Sequence, residues 1–234
     1  MSARSVVLSV LLGAHPASAT AAELIRLTAD FDIRETALRV ALTRMVSAGD
    51  LVRAEDGYRL ADRLLDRQRR QDAALEPRLR DWDGQWLTLI LTRTGADARS
   101  RAELRKLLQD NRFGELREGV WLRPDNIDAE PESEITGWAR LLTARDDDPA
   151  GLAAELWDLD GWRDTGRDLL AAMADAADMP ARFVVAAAIV RHLRSDPVLP
   201  EALLPDDWPG EALRVTYRSF VTDFAAGARI AFMA

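Results

Sequence analysis

The chain contains no cysteine, which removes disulfides, thiolate nucleophiles and Cys-ligated metals. It has only two histidines, His15 and His192. They lie far apart and outside any metal-ligand spacing, so each reads as a surface or capping residue. There is one lysine, Lys106, so the positive charge is carried by arginine. No Walker-type phosphate loop, GxSxG, HExxH or GxGxxG occurs. These absences point away from an enzyme and supply no cofactor-binding motif. The acidic run Asp146-Asp147-Asp148 lacks the spaced oxygen ligands of a calcium loop. No apolar run approaches the roughly 18 residues of a membrane-spanning helix, so no membrane partner is expected. Arg4, the apolar Val6 to Leu12 and Ala17-Ser18-Ala19 imitate a secretion leader. The apolar run is short and interrupted by Ser9, and the same residues fit a first helix, so a cytoplasmic protein is expected.

What is present is ordinary globular material. The 234 residues are 48% hydrophobic and 30% charged, enough for one large domain or two to three small ones with a real core. A net charge of −8 argues against a wholly basic surface that binds polyanions without specificity. It leaves room for a specific DNA binder with segregated charge. Residues 1–60 carry arginines 4, 26, 34, 39, 44, 53 and 59 against an equal number of acids. That segment is neutral, and the excess acid lies downstream.

The most informative stretch runs from Ile33 to Tyr58. Ala37, Leu38, Ala41, Leu42, Met45 and Val46 recur at three- and four-residue spacing and share one helical face. Arg34, Thr36, Arg39, Thr43 and Arg44 fall on or beside the other. Gly49 suits a helix stop that needs a left-handed residue. Leu51 to Ala54 and Tyr58 to Leu60 flank Glu55-Asp56-Gly57, a hairpin signal. Helix, glycine and ribbon in this order match the second half of a winged helix-turn-helix. Arginine can make paired hydrogen bonds to guanine, and threonine reaches a base edge or a phosphate. The candidate DNA-binding residues are therefore Arg34, Thr36, Arg39, Thr43 and Arg44 on the helix, with Arg53, Tyr58 and Arg59 on the ribbon. The competing reading is an ordinary solvated helix face.

Upstream, Ala3 to Gly13 reads as a first helix, followed by a loop. Thr20 and Glu23 form a capping-box pattern opening a second helix. Downstream, Ala61 to Leu79 reads as a charged linker helix with a basic cluster at Arg67, Arg69 and Arg70, either solvated or a phosphate-contacting or dimer-forming segment. Trp86 to Thr92 reads as the best strand. A loop at 94–99, a helix at Arg101 to Asn111, a turn at Gly114 to Glu118 and strands at Gly119 to Arg123 and Trp138 to Thr143 suggest a ferredoxin-like sandwich. The remainder reads as helices interrupted by the four-proline segment Asp196 to Pro209. Trp86, Trp121, Trp138 and Trp208 are candidates to line an aromatic pocket.

Several phrases, in order, resemble the PaaX family of repressors of phenylacetic-acid catabolism. They are Leu11-Leu12-Gly13, Thr36 to Leu51, Tyr58-Arg59-Leu60, Trp82 to Trp86, Phe113-Gly114 with Gly119 to Pro124, Leu156 to Leu159, Arg191-His192-Leu193, Asp196-Pro197, Leu199-Pro200 and Leu204-Pro205. The resemblance implies an α+β protein: an N-terminal winged helix-turn-helix (1–60), a linker helix (61–80), a central ferredoxin-like, Cas2-like domain (81–148) and a helical C-terminal domain (149–234). It implies a homodimeric repressor that binds a double-stranded DNA operator and is released by an acyl- or aryl-CoA effector such as phenylacetyl-CoA. It also matches Arg39 and Arg44 to the two arginines of the family's third helix, with Arg39 the one that projects clearly outward. Two features depart from the family pattern. The ribbon tip is acidic where the family is basic, and the chain is short. Alternatives are a protein-interaction module derived from such a regulator, or a Cas2-like nuclease. The latter lacks the carboxylate that a metal nuclease needs at the end of the first central strand. A neutral N-terminal segment with an acidic tip predicts that residues 1–60 alone bind an operator poorly.

Overall fold

The structure is a computed structural model that describes residues 1–92, 97–129, 135 and 137–228, without the side chains of 227 and 228. In chain order the elements are α1 (Ala3–Gly13), β1 (Ser18–Ala19), α2 (Ala21–Thr28), a 3-10 turn (Ala29–Phe31), α3 (Glu35–Ser47), β2 (Leu51–Ala54), β3 (Gly57–Leu60) and α4 (Asp62–Leu75). There follow β4 (Trp86–Leu91), α5 (Ala98–Asp110), β5 (Gly114–Arg117), β6 (Val120–Pro124) and β7 (Ala139–Ala144). The chain continues with α6 (Pro149–Leu156), α7 (Leu159–Asp175), α8 (Met179–Leu193), a 3-10 turn (Glu201–Leu203) and α9 (Gly210–Ala228). The described residues thus form a mixed helix and sheet protein with two antiparallel sheets, ordered β1-β3-β2 and β5-β6-β4-β7. They divide into two compact units, one of residues 1–72, 168–190 and 212–234, the other of 73–167 and 191–211.

In the first unit, local signals set the helix ends. Ser2 caps α1 by accepting from the Ser5 backbone N–H. Thr20 and Glu23 close the expected capping box at 3.2 and 2.7 Å, satisfying two otherwise orphaned N–H groups. Val6, Val7, Leu11, Leu24, Leu38, Leu42, Met45, Leu51 and Leu60 are buried, so the helices and the hairpin share one apolar core. Ala37 was expected in that core but is exposed, since it starts the outer side of the α3 stripe.

Two expectations for the small sheet change. Ala17 to Ala19 is not simply loop: Ser18 and Ala19 pair with Arg59 and Tyr58 as a third strand, and the Leu60 N–H donates to the Ala17 carbonyl. A two-residue strand is too short to show alternation. The hairpin turn is Glu55-Asp56 alone, because Gly57 already pairs with Ala54. Glycine is required at 57 for room: a Cβ there would sit 2.3 Å from the Ala19 carbonyl oxygen and 2.7 Å from the Thr20 Cα.

Helix α4 is not a wholly solvated linker. Gln68 and Gln71 are buried. The Gln68 amide donates to the carbonyls of Leu12 and Ala14 at 3.3 and 2.8 Å, satisfying the open C-terminal carbonyls of α1. Phe31 lies edge-on to Phe183 of α8 (5.0 Å) and Phe224 of α9 (6.3 Å). The turn before α3 is thus packed by residues more than 150 positions away.

In the second unit, β4 is the central strand and alternation assigns its two faces. Leu87 and Leu89 pack with Leu108, Phe113 and Trp121 on one side. Trp86 packs with Leu122, Ala153, Leu199 and Leu203 on the other. Gly114 to Arg117, expected as a turn, is the edge strand β5. Helix α5 begins at Ala98 because Asp97 caps it, accepting from the Ser100 N–H at 2.9 Å. Positions 98–99 of the expected loop are therefore helical, and 94–96 lie outside the described residues. Asp148, in the acidic run, caps α6 by accepting from the Gly151 N–H at 3.0 Å.

Candidate nucleic-acid interface

Helix α3 is framed by backbone geometry rather than by a side-chain cap. Asp32 turns the chain with a left-handed φ of 54°, and Arg34 is an extended N-cap without a side-chain hydrogen bond. At the other end Gly49 has φ 69°. Its N–H donates to the Val46 carbonyl at 3.0 Å, and the Asp50 N–H to the Met45 carbonyl at 2.9 Å. This is the Schellman pair that the glycine stop anticipates.

With Leu38, Leu42 and Met45 buried, Arg34, Thr36, Arg39, Val40, Thr43 and Arg44 are exposed. The exposed face is not uniform. Arg34, Thr36, Val40 and Arg44 line a groove of about 680 Å³, together with Ser2, Ala3 and Arg4 of the α1 segment. Val40, 51% exposed, puts an apolar side chain among these arginines. Arg39 and Thr43 do not line this groove. Thr43 is turned to its own helix, its hydroxyl donating to the Arg39 carbonyl at 3.0 Å. Arg39 bonds Glu35 through Nε at 2.8 Å and Nη2 at 2.6 Å, both to Oε1. The two candidate arginines of α3 therefore occupy different settings: Arg44 in the groove and Arg39 outside it, beside a carboxylate.

The hairpin residues are also split. Arg53 and Tyr58 are cross-strand partners, and the Arg53 guanidinium lies 6.0 Å from the Tyr58 ring centroid. Directly opposed residues share a face, so this pair projects to one side. Arg59, opposite Val52, projects to the other. Arg59 also contacts Asp62 at 3.1 Å and donates to the Leu60 carbonyl at 3.3 Å, which ties it to the start of α4.

Three residues absent from the sequence-derived set organise the site: Asp50, Arg4 and Arg63. Asp50 follows the α3 stop and its side chain is 2% exposed. Its carboxylate holds Arg4 of α1, with Nη2 at 2.9 Å and Nε at 3.1 Å, and Arg63 of α4. Arg63 also donates to the Gly49 carbonyl at 2.8 Å. One buried acid thus joins the ends of three helices. The sequence hint was an acid directly after a glycine stop. Arg4 read as part of an imitation leader or of the first helix, with no role at the interface.

The four tryptophans do not form one pocket. Trp86 and Trp121 lie on opposite faces of the larger sheet, and Trp208 stacks at 4.2 Å on Trp162, which also stacks on His192. His192 is thus an aromatic-stack member rather than a surface group. Burial lowers its pKa, against the opposing pull of the Trp162 carbonyl, 3.0 Å from Nε2. His15 is part-buried beside Asp72 at 3.1 Å. Burial pushes the Tyr217 hydroxyl up to about 12, helped by the charge of Asp72.

Among the described residues no helix is long and apolar enough to cross a membrane. Comparison with known proteins matches three consecutive parts of the chain to one family: PaaX-like protein over residues 2–64, the PaaX protein central Cas2-like domain over 79–148, and the PaaX-like protein C-terminal domain over 157–234. None of the curated proteins matches the chain. Among solved structures, the uncharacterized protein Rv0674 from Mycobacterium tuberculosis is 64% identical, with 97% of each chain covered and a TM-score of 0.87.

Proposed function

Since the chain belongs to the PaaX-like protein family, we propose that it is a sequence-specific DNA-binding transcriptional regulator whose N-terminal segment works as a winged helix-turn-helix. The observation that carries this reading is the groove at the exposed face of α3, where Arg34, Thr36 and Arg44 surround Val40. A helix presenting arginine, threonine and an apolar side chain has the groups for guanine edges, phosphates and the thymine methyl. In this reading α3 enters the major groove. Arg39 reads a base from its flank, and Arg53, Tyr58 and Arg59 touch the backbone from the hairpin. The protein works in the cytoplasm as a homodimeric repressor. Because residues 1–60 are electrically balanced, one subunit neutralises few phosphates, and two linked subunits supply the affinity. The effector is an acyl- or aryl-CoA thioester such as phenylacetyl-CoA, a reading that rests on family membership.

The test is a footprint of the full-length protein on DNA upstream of its own and neighbouring genes. We expect two protected half-sites about one helical turn, or a multiple, apart, released by an acyl-CoA. Absence of any protected sequence at physiological salt would overturn the DNA-binding reading. Protection that no acyl-CoA relieves would overturn the effector alone.

A further inference from the structure

We propose that Arg4, outside the helix-turn-helix face, is a DNA-backbone contact held in place by Asp50; this rests on the DNA-binding reading above. Arg4 lines the same groove as Arg34 and Arg44, so a phosphate that meets the edge of α3 meets Arg4 as well. The Arg4 side chain is 59% exposed while that of its partner Asp50 is 2% exposed. Asp50 takes Nε and Nη2 through the single oxygen Oδ2, so Nη1 is not engaged in that contact. The other Asp50 oxygen is engaged by Arg63, so the three groups together keep one net positive charge. A free surface arginine loses side-chain entropy on docking. Here that loss is met on folding, because the buried acid already fixes the guanidinium. Arg4 carries no base information in this arrangement: phosphate contacts position a protein, whereas base contacts specify.

Two variants separate this role from a purely structural one. Arg4→Gln removes the charge and also the tie to Asp50. Ala3→Glu leaves that tie intact and places a carboxylate in the groove at the first position of α1, where helix polarity tolerates acids. We measure full-length operator binding and binding to a scrambled duplex against salt, with melting temperatures alongside. Both variants should weaken the two duplexes equally, by about three- to tenfold, and Arg4→Gln should lower the salt slope by about one per subunit. Ala3→Glu should do so without a lower melting temperature. An unchanged slope in Arg4→Gln together with wild-type affinity in Ala3→Glu would overturn the proposal and leave Arg4 a structural partner of Asp50. Should Arg4→Gln fail to fold, Ala3→Glu decides alone: weakened binding supports the proposal, and wild-type affinity overturns it. Failure of the wild-type protein to prefer any operator sinks the DNA-binding reading instead, a result visible before either variant is made.

Discussion

Replacing Arg39 by alanine tests whether α3 reads bases from its flank as well as from its groove. In the free protein Arg39 bonds Glu35 Oε1 through Nε and Nη2. That contact occupies one side of the guanidinium and leaves the Nη1/Nη2 end available for the paired acceptors of a guanine. The side chains of Arg39 and Glu35 are 60% and 53% exposed, so this helical pair is worth about 0.3–0.5 kcal/mol after solvent screening. A paired arginine–guanine contact discriminates by about 1–3 kcal/mol. The second term wins even if the Glu35 contact must break completely. Arg39→Ala should therefore lose about tenfold affinity for the operator at fixed salt and little for a duplex with that guanine replaced. Glu35→Gln should change operator affinity by no more than about twofold, since only the smaller term is touched. Fluorescence anisotropy on matched and substituted duplexes reads both. An equal loss on the two duplexes would make Arg39 a phosphate contact. No loss on either would remove it from the interface.

Residues 1–60 expressed alone should bind the operator far more weakly than the full chain and melt at lower temperature. Truncation exposes Phe31 and removes Gln68 and Arg63 from α1 and Asp50, so equal affinity and stability would refute both the packing and the charge argument. Gly57→Ala should destabilise the small sheet by about 1–3 kcal/mol through overpacking against Ala19; a thermal melt within a degree of wild type would refute the close approach. Burial raises the Tyr217 pKa in the folded protein from its ordinary 10.0 to about 12. The unfolded chain releases this proton first, so its contribution to stability is whole below pH 10 and is lost as pH rises from 10 towards 12. Tyr217→Phe should flatten that alkaline decline and remove the late phase of the phenolate absorbance titration. An unchanged late phase would show that another group titrates there.

Signals confined to a few neighbouring residues were legible in the chain. The Thr20–Glu23 capping box, the Gly49 stop, the apolar stripe of α3 and the strand at Trp86 each follow from bonds or periodicity within about one turn or one strand. Elements lacking such a pattern were not. Ser18-Ala19 is too short to alternate, and Gly114 to Arg117 becomes a strand through pairing with β6. Gly57 looked like a turn glycine, yet its necessity comes from a strand some forty residues earlier. The candidate site divides the same way. Periodicity placed Arg34, Thr36, Arg39, Thr43 and Arg44 on or beside the outer face of α3, with Arg39 clearly outward and Arg44 near the boundary. It could not show that Arg44 shares a groove with Arg4.

The sequence by itself determined the buried centre of α3 at Leu38, Leu42 and Met45, because a helix's faces follow from its 3.6-residue repeat, although it placed Ala37 inside and the structure exposes it. Its ordered phrases also identified the family. Tertiary structure decided which presented residues meet. Arg4 and Asp50 are 46 positions apart, and no local periodicity relates them. Their contact exists only because α1, the end of α3 and the start of α4 converge on one buried carboxylate, which is stable there because two arginines reach it from the surface.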